Sequence, residues 1–588
     1  MIQTLKQSIQ EAFKDLFDHS LSLDEVKIEN TNPSFEGSFT FVVFPFLRVT
    51  KKKPEESGEL IGAFVHAKMN EIASFNVVKG FLNFSLTQEY WLSYLGELNQ
   101  LERLGNKVRE PKKIMVEYSS PNTNKPLHLG HVRNNLLGYS ISQILSYYGH
   151  EVIKANLIND RGIHICKSML AYQMFANGET PESGNIKGDH LVGKYYVAFD
   201  KAYKEEQAQL IESGLTEDEA KNQSKLMADA REMLTKWEQG DKGIMVLWNQ
   251  LNNWVYDGFD ISYARMGVDF DVYYKESQTY LLGKSMVLEG LEQGVFFKKD
   301  DGSIWVDLTD DGLDQKLLLR ADGTSVYMTQ DIGTADLKYN DYHMDQSVYI
   351  VGNEQDYHFK VLKLVLQKLQ KPYADGVHHM SYGMVELPTG KLKTREGKVV
   401  DADDLMEEMH ATAKERTIEQ GKADGLSTDA LNELYETLGL GALKYFLLKV
   451  DPSKRILFNP ADSIDFQGNT GTFIQYTYAR CSSILRNAEH EVTMPGSVKL
   501  ETSEIDLIAH FFKFDNVLEE AANHMSPALI AQYLYDTAKN YNSFYNQCSI
   551  LKAETDSLVK MRLVLTRITA RMIETCGRLL GMKMPDRM

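Results

Sequence analysis

The sequence predicts an α/β protein in which a doubly wound parallel sheet lies between a small N-terminal α+β domain and an all-helical C-terminal domain. Two apolar runs, Ile114–Tyr118 and Val152–Leu157, flank a polar loop and an amphipathic stretch that ends at Gly149. Strand, loop, helix and strand in this order form a βαβ unit, which opens a nucleotide-binding fold. Beyond about Gly439 the pattern is helical to the end of the chain. The 588 residues suggest about three or four domains.

Residues 1–109 are predicted to form the first domain. Leu5, Ile9 and Phe13 are spaced by four residues, which predicts an amphipathic helix at the start. Strands are predicted within Ser38–Arg48 and at Phe81–Leu86. The polar segment 98–113, which contains glycine and proline, then predicts a linker.

Residues 110–440 are predicted to form the doubly wound domain, with a charged helical insertion at about 184–283. Strand signals return at Ser303–Leu308 and Gln346–Val351. Residues 441–588 form the predicted helical domain. Its last long helix is indicated by apolar residues at spacings of three, four and seven, namely Leu558, Met561, Leu565, Ile568, Met572 and Leu579.

The composition excludes several classes of protein. Hydrophobic residues make up 43% and charged residues 25% of the chain, which is ordinary for a globular protein. Neither a secretory signal nor an apolar run of membrane-spanning length is found in the sequence. The four cysteines are scattered and match neither zinc nor disulfide spacing. We therefore expect a cytoplasmic protein that does not contact a membrane.

The net charge of −18 argues against a protein that coats nucleic acid. From Gly441 onward basic and acidic side chains nearly balance, so the first 440 residues carry the negative charge. Because selective RNA binding needs only a local basic face, the charge permits RNA binding at the C-terminal end without predicting it.

The polar loop after the first predicted strand has residues suited to phosphate binding. The segment from Glu117 to His131 is EYSSPNTNKPLHLGH. A loop in this position presents helix N-terminal N–H groups and the positive end of the helix dipole to an anion. His128 and His131 can both donate hydrogen bonds to a phosphate, and Gly130 leaves room for a purine against the backbone. The alternatives are helix-capping surface histidines or metal ligands, but no cysteine or acidic partner lies at metal-ligand spacing nearby.

The string from His128 to His131 resembles the HIGH motif of class I aminoacyl-tRNA synthetases, and the wider string from Val116 to Arg133 resembles arginyl-tRNA synthetases. The resemblance covers most of the chain and is densest at 114–135, 325–360, 380–405 and 440–485. It implies a Rossmann-like, HIGH-type catalytic domain, an N-terminal domain that touches the tRNA elbow and a helical anticodon-binding domain. His128, Gly130 and His131 are then ATP-binding residues, and both histidines are catalytic. We refer to Ser119–His131 as the HIGH loop.

The implied reaction joins arginine to tRNA in two steps. The arginine carboxylate attacks the α-phosphate of ATP, and a ribose hydroxyl of the 3′-terminal adenosine then attacks the activated carbonyl. The implied partners are L-arginine and tRNA-Arg, with Mg²⁺ accompanying ATP and no metal bound by the protein alone. We expect the enzyme to act as a monomer.

A second basic segment, GKLKTREG at 390–397, resembles the KMSKS loop of the same enzymes. Lys391 matches the first lysine of that motif, whereas Thr394 stands where the second would be. In this family a lysine upstream of HIGH is thought to replace it, and Lys125 occupies that place. The resemblance thus implies that Lys125, Lys391 and Lys393 neutralise charge on the α-phosphate and pyrophosphate. The alternative is a solvated basic turn.

The planar guanidinium of arginine needs a carboxylate in its own plane. Tyr327 and Asp331 are four residues apart and share a face if their segment is helical. The resemblance places both at the guanidinium, and places Glu117, Asn122 and Gln355 at the α-amino and carboxylate end. Taken singly, Asp331 could equally be an ordinary helix-start carboxylate and Tyr327 a core aromatic.

Four C-terminal segments resemble the anticodon-binding domain, namely Gly441–Phe446, Asp465–Gly471, Gln475–Arg480 and Met584–Met588. Unpaired bases are recognised by stacking on aromatic rings and by arginine or backbone contacts. The candidates for tRNA binding are Tyr476, Tyr478, Arg480 and Met588. The alternative for the tyrosines is core packing, since aromatic residues at helical spacing are usually buried.

Two other classes of function remain open at this point. One is a different enzyme of the HIGH nucleotidyltransferase superfamily, either a synthetase for another amino acid or a small-molecule adenylyltransferase. The other is a non-catalytic, synthetase-like RNA-binding or regulatory protein. The helical C-terminal region counts against an adenylyltransferase, and the presence of His128, His131 and Lys391 counts against loss of catalysis.

Overall fold

A computed structural model describes residues 1–32, 34–386, 400–421 and 425–588, without the side chains of residues 460 and 461. The basic segment 390–397 lies outside the described residues, and so do Lys391 and Lys393. Within the described part of the chain, no helix is long and apolar enough to cross a membrane.

The N-terminal region is an α+β unit whose four strands form an antiparallel sheet in the order β1-β2-β4-β3. The first helix and the strand Phe81–Leu86 are confirmed. Within Ser38–Arg48, where strands were predicted, the only strand is Phe39–Val42, because the chain then leaves the sheet into a 3₁₀ turn containing Pro45, which lacks an N–H for strand pairing. The elements are α1 (Ile2–Phe17), β1 (Ile28–Asn30), β2 (Phe39–Val42), α2 (Leu47–Thr50), α3 (Pro54–Lys68), β3 (Ile72–Val78), β4 (Phe81–Leu86) and α4 (Gln88–Gln100).

The central sheet has five parallel strands in the order β12-β11-β5-β6-β7. It begins with the predicted βαβ unit, whose connecting helix ends at Gly149 in the left-handed conformation (φ 111°). The first elements are β5 (Lys113–Glu117), α5 (Leu129–Tyr148), β6 (Glu151–Ile158) and α6 (Ile163–Phe175). Ligands of doubly wound sheets bind where the strand order reverses, at the carboxyl ends of the strands. Here that point lies between β5 and β11, directly beyond Glu117.

Five helices follow as the insertion: α7 (Pro181–Gly184), α8 (Gly188–Glu212), α9 (Glu217–Gln223), α10 (Lys225–Glu238) and α11 (Lys242–Met266). The segment 184–283 also contains β7 (Val272–Lys275), which pairs with β6 in the central sheet. The helical prediction for this stretch was therefore wrong over β7, a strand of only four residues that follows a 25-residue helix.

The chain then forms a separate antiparallel sheet, β10-β9-β8, before it returns to the central one. The strand predicted at Ser303–Leu308 exists as Ile304–Val306, but it belongs to this small sheet, whereas the strand predicted at Gln346–Val351 is in the central sheet. The elements are α12 (Glu276–Thr279), α13 (Lys284–Glu292), β8 (Phe297–Lys298), β9 (Ile304–Val306), β10 (Lys316–Leu319), α14 (Tyr327–Tyr342), β11 (Gln346–Gly352), α15 (Asp356–Lys368), β12 (Val377–Tyr382), β13 (Val385–Glu386) and α16 (Ala402–Glu419).

The C-terminal region is helical apart from β14, which pairs with β13. The last helix is confirmed, and all its predicted apolar residues are buried except Leu558, which is half-buried. The elements are α17 (Thr428–Leu448), β14 (Ile456–Leu457), α18 (Pro460–Ser463), α19 (Gly471–Arg486), α20 (Thr502–Phe511), α21 (Phe514–Asn523), α22 (Pro527–Gln547) and α23 (Asp556–Leu579). Helix α17 passes through residues 440 and 441, where the sequence places a domain boundary.

Candidate active site

The HIGH loop leaves β5 with two consecutive residues in the left-handed region, Ser119 (φ 76°) and Ser120 (φ 46°). This conformation is uncommon for residues other than glycine and persists only where surrounding contacts hold it. Asn134 and Asn156 provide those contacts, because their side-chain oxygens accept hydrogen bonds from Ser119 N (2.5 Å) and Ser120 N (3.2 Å). The loop is therefore fixed by α5 and β6 in a strained conformation of the kind that concentrates at functional sites.

His128 and His131 lie together at the start of α5, with their ring centroids 3.9 Å apart. The Nδ1 atom of His128 accepts from Gly130 N, and that of His131 accepts from His128 N, both at 3.1 Å. Burial and the nearby Lys125 lower the pKa of His128 to about 4, and burial also lowers the pKa of His131 well below its usual value. Both rings are thus neutral near pH 7, and because each Nδ1 is an acceptor, each Nε2 carries the proton. The site holds two N–H donors beside a helix N-terminus.

Lys125 and Gly130 complete this part of the site. Lys125 is half-buried in the HIGH loop, and burial lowers the pKa of its ammonium group. A Cβ atom at Gly130 would lie 3.0 Å from the His128 ring, so the glycine also gives that ring its space. The structure therefore brings four of the predicted ATP-binding and catalytic residues together, while the second basic segment lies outside the described residues.

The predicted arginine-binding residues lie around the carboxyl ends of β5 and β11 and on α14. Glu117, the last residue of β5, is buried and forms an ion pair with Lys338 of α14. Burial opposes the charge of Lys338, but the Glu117 carboxylate outweighs it, and the pKa of Lys338 is raised. Asp331, on the same helix, is hydrogen-bonded to His358, with its Oδ2 atom 2.5 Å from Nε2 of the ring. Gln355 is exposed in the short turn between β11 and α15.

Lys338 and His358 were not predicted from the sequence. Lys338 lies seven residues after Asp331, so helical spacing could have placed it on the face of α14 that carries Asp331. Its partner Glu117, however, is 221 residues away in the chain. His358 follows Gln355 by three residues in the segment that the resemblance singled out, and its pairing with Asp331 needs the fold.

A cleft of about 1010 Å³ opens beside this site, between the insertion and the small antiparallel sheet. Asn122 and Tyr327 are exposed on the wall of this cleft, and Tyr327 is 79% exposed to solvent. The predicted interpretation of Tyr327 as a core aromatic is therefore excluded. The charged residues that line the cleft are Arg161, Glu238, Glu276, Lys284 and Arg320.

A smaller cleft of about 440 Å³ lies in the helical region, against the end of the chain. Tyr476, Arg480 and Met588 line it, together with Tyr545 and the arginines Arg486 and Arg587. The Arg480 guanidinium lies 4.9 Å from the centre of the Tyr476 ring and 4.7 Å from that of Tyr545. Tyr478 is also on α19 but does not line this cleft; it contacts Ser482 and lies near Asp586. Burial, with a smaller contribution from nearby acidic groups, raises the pKa of Tyr478.

Among the described residues, one set of side chains has the spacing of a metal site: Asp189, His190 and Asp403, whose ligand atoms lie within 4.8 Å of one another. The Lys187 ammonium already lies in this set. It is bonded to Asp403 and lies 3.2 Å from Asp189. The negative charge of the two carboxylates is therefore partly balanced by this side chain.

Comparison with protein families identifies the catalytic region. A family described as tRNA synthetases class I (R), catalytic domain, matches residues 96–459, which is more than half of the chain. The chain belongs to the arginyl-tRNA synthetase family. Residues 3–86 match the arginyl tRNA synthetase N-terminal domain, and residues 474–588 match the DALR anticodon binding domain. The predicted family, the three-part fold and the class of enzyme are thus confirmed.

Curated relatives agree over the full length. The arginine–tRNA ligase of Bacteroides thetaiotaomicron is 52% identical, covering 99% of both chains, and that of Flavobacterium psychrophilum is 51% identical, covering 100% of this chain and 99% of its own. The chain is accordingly an arginine–tRNA ligase, an ATP-dependent aminoacyl-tRNA synthetase. This sets aside the adenylyltransferase and the non-catalytic alternative.

Solved structures share the fold at low identity. The arginyl-tRNA synthetase of Thermus thermophilus superposes with a TM-score of 0.78 at 23% identity, covering all of both chains. That of Plasmodium falciparum gives 0.77 at 20% identity, covering 100% of this chain and 99% of its own. The architecture is therefore that of arginyl-tRNA synthetases as a whole.

Proposed function

We propose that this arginine–tRNA ligase binds ATP with Lys125, His128, Gly130, His131, Lys391 and Lys393, and that it activates L-arginine before transfer to the 3′-terminal adenosine of tRNA-Arg. The observation that carries the proposal is the pair of neutral imidazoles at the start of α5, each of whose Nε2–H groups has no hydrogen-bond partner among the described residues and can donate to an anion. The 20-residue helix behind them adds its dipole to the same point.

In the first step an oxygen of the arginine carboxylate forms a bond to the α-phosphorus of ATP, and the bond to the bridging oxygen breaks to release pyrophosphate. Neutral donors suit this step, since they stabilise the negative charge on the phosphoryl oxygens without surrendering a proton. Lys125 adds a cation whose partial burial strengthens its attraction to phosphate. No side-chain nucleophile is needed, so the enzyme contributes positioning and charge stabilisation.

For arginine, Asp331 and Tyr327 bind the guanidinium, and Glu117, Asn122 and Gln355 hold the α-amino and carboxylate end. Asp331 is paired with His358, so a guanidinium would take over the carboxylate that His358 now contacts. Lys338 balances Glu117, which keeps that buried carboxylate from standing as an isolated charge in the pocket.

In the second step the 2′-hydroxyl of the terminal ribose attacks the arginyl carbonyl and AMP leaves. The large cleft of about 1010 Å³ beside Tyr327 is lined in part by the insertion and is the proposed entry for the 3′ end of the tRNA. At the far end, Tyr476, Arg480 and Met588 line a cleft with three arginines, which is suited to unpaired bases and phosphates. Tyr478 remains a prediction for tRNA binding, from a position outside the residues lining this cleft.

Mg²⁺ is proposed to enter with ATP and not through protein ligands. The described residues around His128 are imidazoles and an ammonium group, which do not suit a hard cation. The carboxylates next to them, Asp401 and Asp403, face His190 and Lys187. These residues do not fit a magnesium site, so we assign no step to the metal. We also propose that the enzyme acts as a monomer in the cytoplasm, which light scattering and fractionation would test.

The proposal is tested by ATP–pyrophosphate exchange with each of the twenty amino acids, with and without tRNA. Of the twenty amino acids, only arginine should support exchange. Lys125→Ala should lower the rate of arginine-dependent exchange by about 100-fold, as expected when a group that stabilises charge in the transition state is lost. Lys414→Ala removes an exposed lysine from α16 and serves as the matched control. Near-normal exchange by Lys125→Ala would reject the role of this lysine.

A further inference from the structure

The first two turns of α8, in the insertion, lie against the HIGH loop. A Cβ atom at Gly193 would come within 2.8 Å of Pro126 Cδ and 3.6 Å of Lys125 Cα. The helix therefore approaches the loop as closely as a glycine allows. A shift of α8 would be transmitted directly to the backbone of Lys125.

The start of the same helix also contacts the segment that follows the second basic region. His190 Nε2 lies 2.9 Å from Asp403 Oδ2 and 3.5 Å from Asp401 Oδ2. Lys187, which precedes the helix, bonds Asp403 and donates to Ser262 Oγ at 2.6 Å. Ser262 donates in turn to the other oxygen of Asp403 at 2.8 Å. Asp403 is thus held by three groups of the insertion.

Asp401 links this cluster to the HIGH loop through the backbone. It caps α16 by accepting from Asp403 N at 2.7 Å, and it forms an antiparallel bridge with His128. Leu129 N donates to Val400 O at 3.2 Å, and Ala402 N donates to Leu127 O at 2.9 Å. The segment 400–402 therefore lies on the backbone of the histidine pair, immediately after the second basic segment in the chain.

We propose that Lys187 and His190 are positioning residues for ATP: by holding Asp403 and Asp401 they keep segment 400–402 on the HIGH loop and so fix the backbone of His128. This inference rests on the proposed function, in which that loop binds ATP. Lys187 and His190 belong to the insertion and contact carboxylates, so they act on the ATP site only through Asp401 and Asp403. The geometry joins three elements that are far apart in sequence at one ion-paired cluster.

The cluster of Lys187, His190, Asp401 and Asp403 is half-buried, which strengthens its ion pairs relative to pairs on the surface. The side chains of Lys187 and His190 are 16% and 28% exposed, and that of Asp189, beside them, is fully buried. Charge-assisted bonds in such surroundings are screened less than surface pairs. Because catalysis depends on sub-ångström placement of the reacting groups, a small displacement of 400–402 is expected to reach the ATP site.

The test is ATP–pyrophosphate exchange by the full-length enzyme with arginine and tRNA present. His190→Ala should lower kcat/KM for ATP by about tenfold, with the KM for arginine changed less than twofold, since misplacement affects the phosphate groups. His190→Gln, which keeps a donor near the Nε2 position, should recover most of the loss. Lys194→Ala removes an ion pair with Glu179 from the next turn of α8 and should leave both constants unchanged.

The outcomes separate positioning from general stabilisation. If His190→Ala leaves kcat/KM for ATP unchanged, or raises the KM for ATP and arginine equally with a lowered unfolding midpoint, the inference is overturned. If His190→Ala unfolds, Lys187→Met and the Lys187→Met/Asp403→Asn pair supply the same comparison, and the losses in the pair should not multiply because both act on one bond. If Lys125→Ala shows normal exchange while His190→Ala shows a lowered kcat/KM for ATP, the proposed role of Lys125 is rejected and the positioning role of His190 is supported.

Discussion

At the scale of single residues, the sharpest difference in chemistry is between the carboxylate proposed to bind arginine and the imidazoles proposed to bind ATP. Asp331→Asn removes the charge opposite the guanidinium, so the KM for arginine should rise at least 30-fold, as expected for roughly 2–5 kcal/mol from a truncated, desolvated charge pair. The KM for ATP should change less than twofold in the same steady-state assay. Asp336→Asn removes a carboxylate from the same helix that pairs with Lys371, and it is the matched control. Equal rises in both KM values would reject the assignment of Asp331.

The histidine pair makes the folded state sensitive to acid. The pKa of His128 is about 4 when folded, against its ordinary value of about 6.5 when unfolded. Below about pH 6.5 the unfolded chain therefore takes up a proton that the folded chain does not, and stability falls as pH falls toward 4. His128→Asn keeps a helix-capping acceptor without the titration, so its urea midpoint should fall less than that of the wild type between pH 7 and pH 5. Parallel losses in the two proteins would contradict this origin of the acid sensitivity.

At the scale of elements, α5 supports the site through the buried residue Arg133. Its guanidinium donates to the carbonyls of Gly383, Pro452 and Lys454, which flank the β13–β14 pair. A lysine has three donors on a flexible stem and cannot reproduce this fork, so Arg133→Lys should cost about 3 kcal/mol of stability through unmet buried carbonyls. Urea unfolding measures it, with Arg416→Lys at an exposed ion pair as control. A loss no larger than that of the control would show that the carbonyls find other partners.

The same scale shows what the sequence could and could not predict. The HIGH loop, its strand and its helix were predictable because local spacing, loop composition and a terminal glycine all act within about 35 residues. Strand β7 was missed because four residues carry too little periodicity beside a long helix, and its place depends on pairing with β6. The partners of Glu117 and Asp331 could not be predicted either, because the first contact forms only when α14 packs against β5 and the second only when α14 packs against α15.

At the scale of the whole molecule, the N-terminal domain packs on the helical domain through aromatic contacts around Phe512. This ring lies 5.4 Å from that of Phe39 and 5.2 Å from that of Tyr94. Arg567 and Arg571 of α23 add hydrogen bonds to Asn99 and Leu98 at the end of α4. The two proposed tRNA-contacting regions are thus joined to each other directly, and α21, α22 and α23 also contact α5. The helix that begins at the histidine pair therefore packs against the helical domain as well as the central sheet.

Because the cleft around Arg480 lies in the helical domain, a change there should affect the KM for tRNA without affecting those for ATP and arginine. Arg480 contacts Tyr476, Tyr545 and Asn542 in a cleft of the helical domain. Base stacking of the kind proposed for this cleft contributes about 1–3 kcal/mol per base. Arg480→Ala should therefore raise the KM for tRNA about tenfold in aminoacylation, while the KM values for ATP and arginine stay within twofold. Arg416→Ala removes the same charge from an exposed ion pair and should leave all three unchanged. Arg480→Lys keeps the charge but not the planar stacking, so an intermediate KM would assign part of the affinity to stacking. An unchanged KM for tRNA in Arg480→Ala would place anticodon recognition outside this cleft.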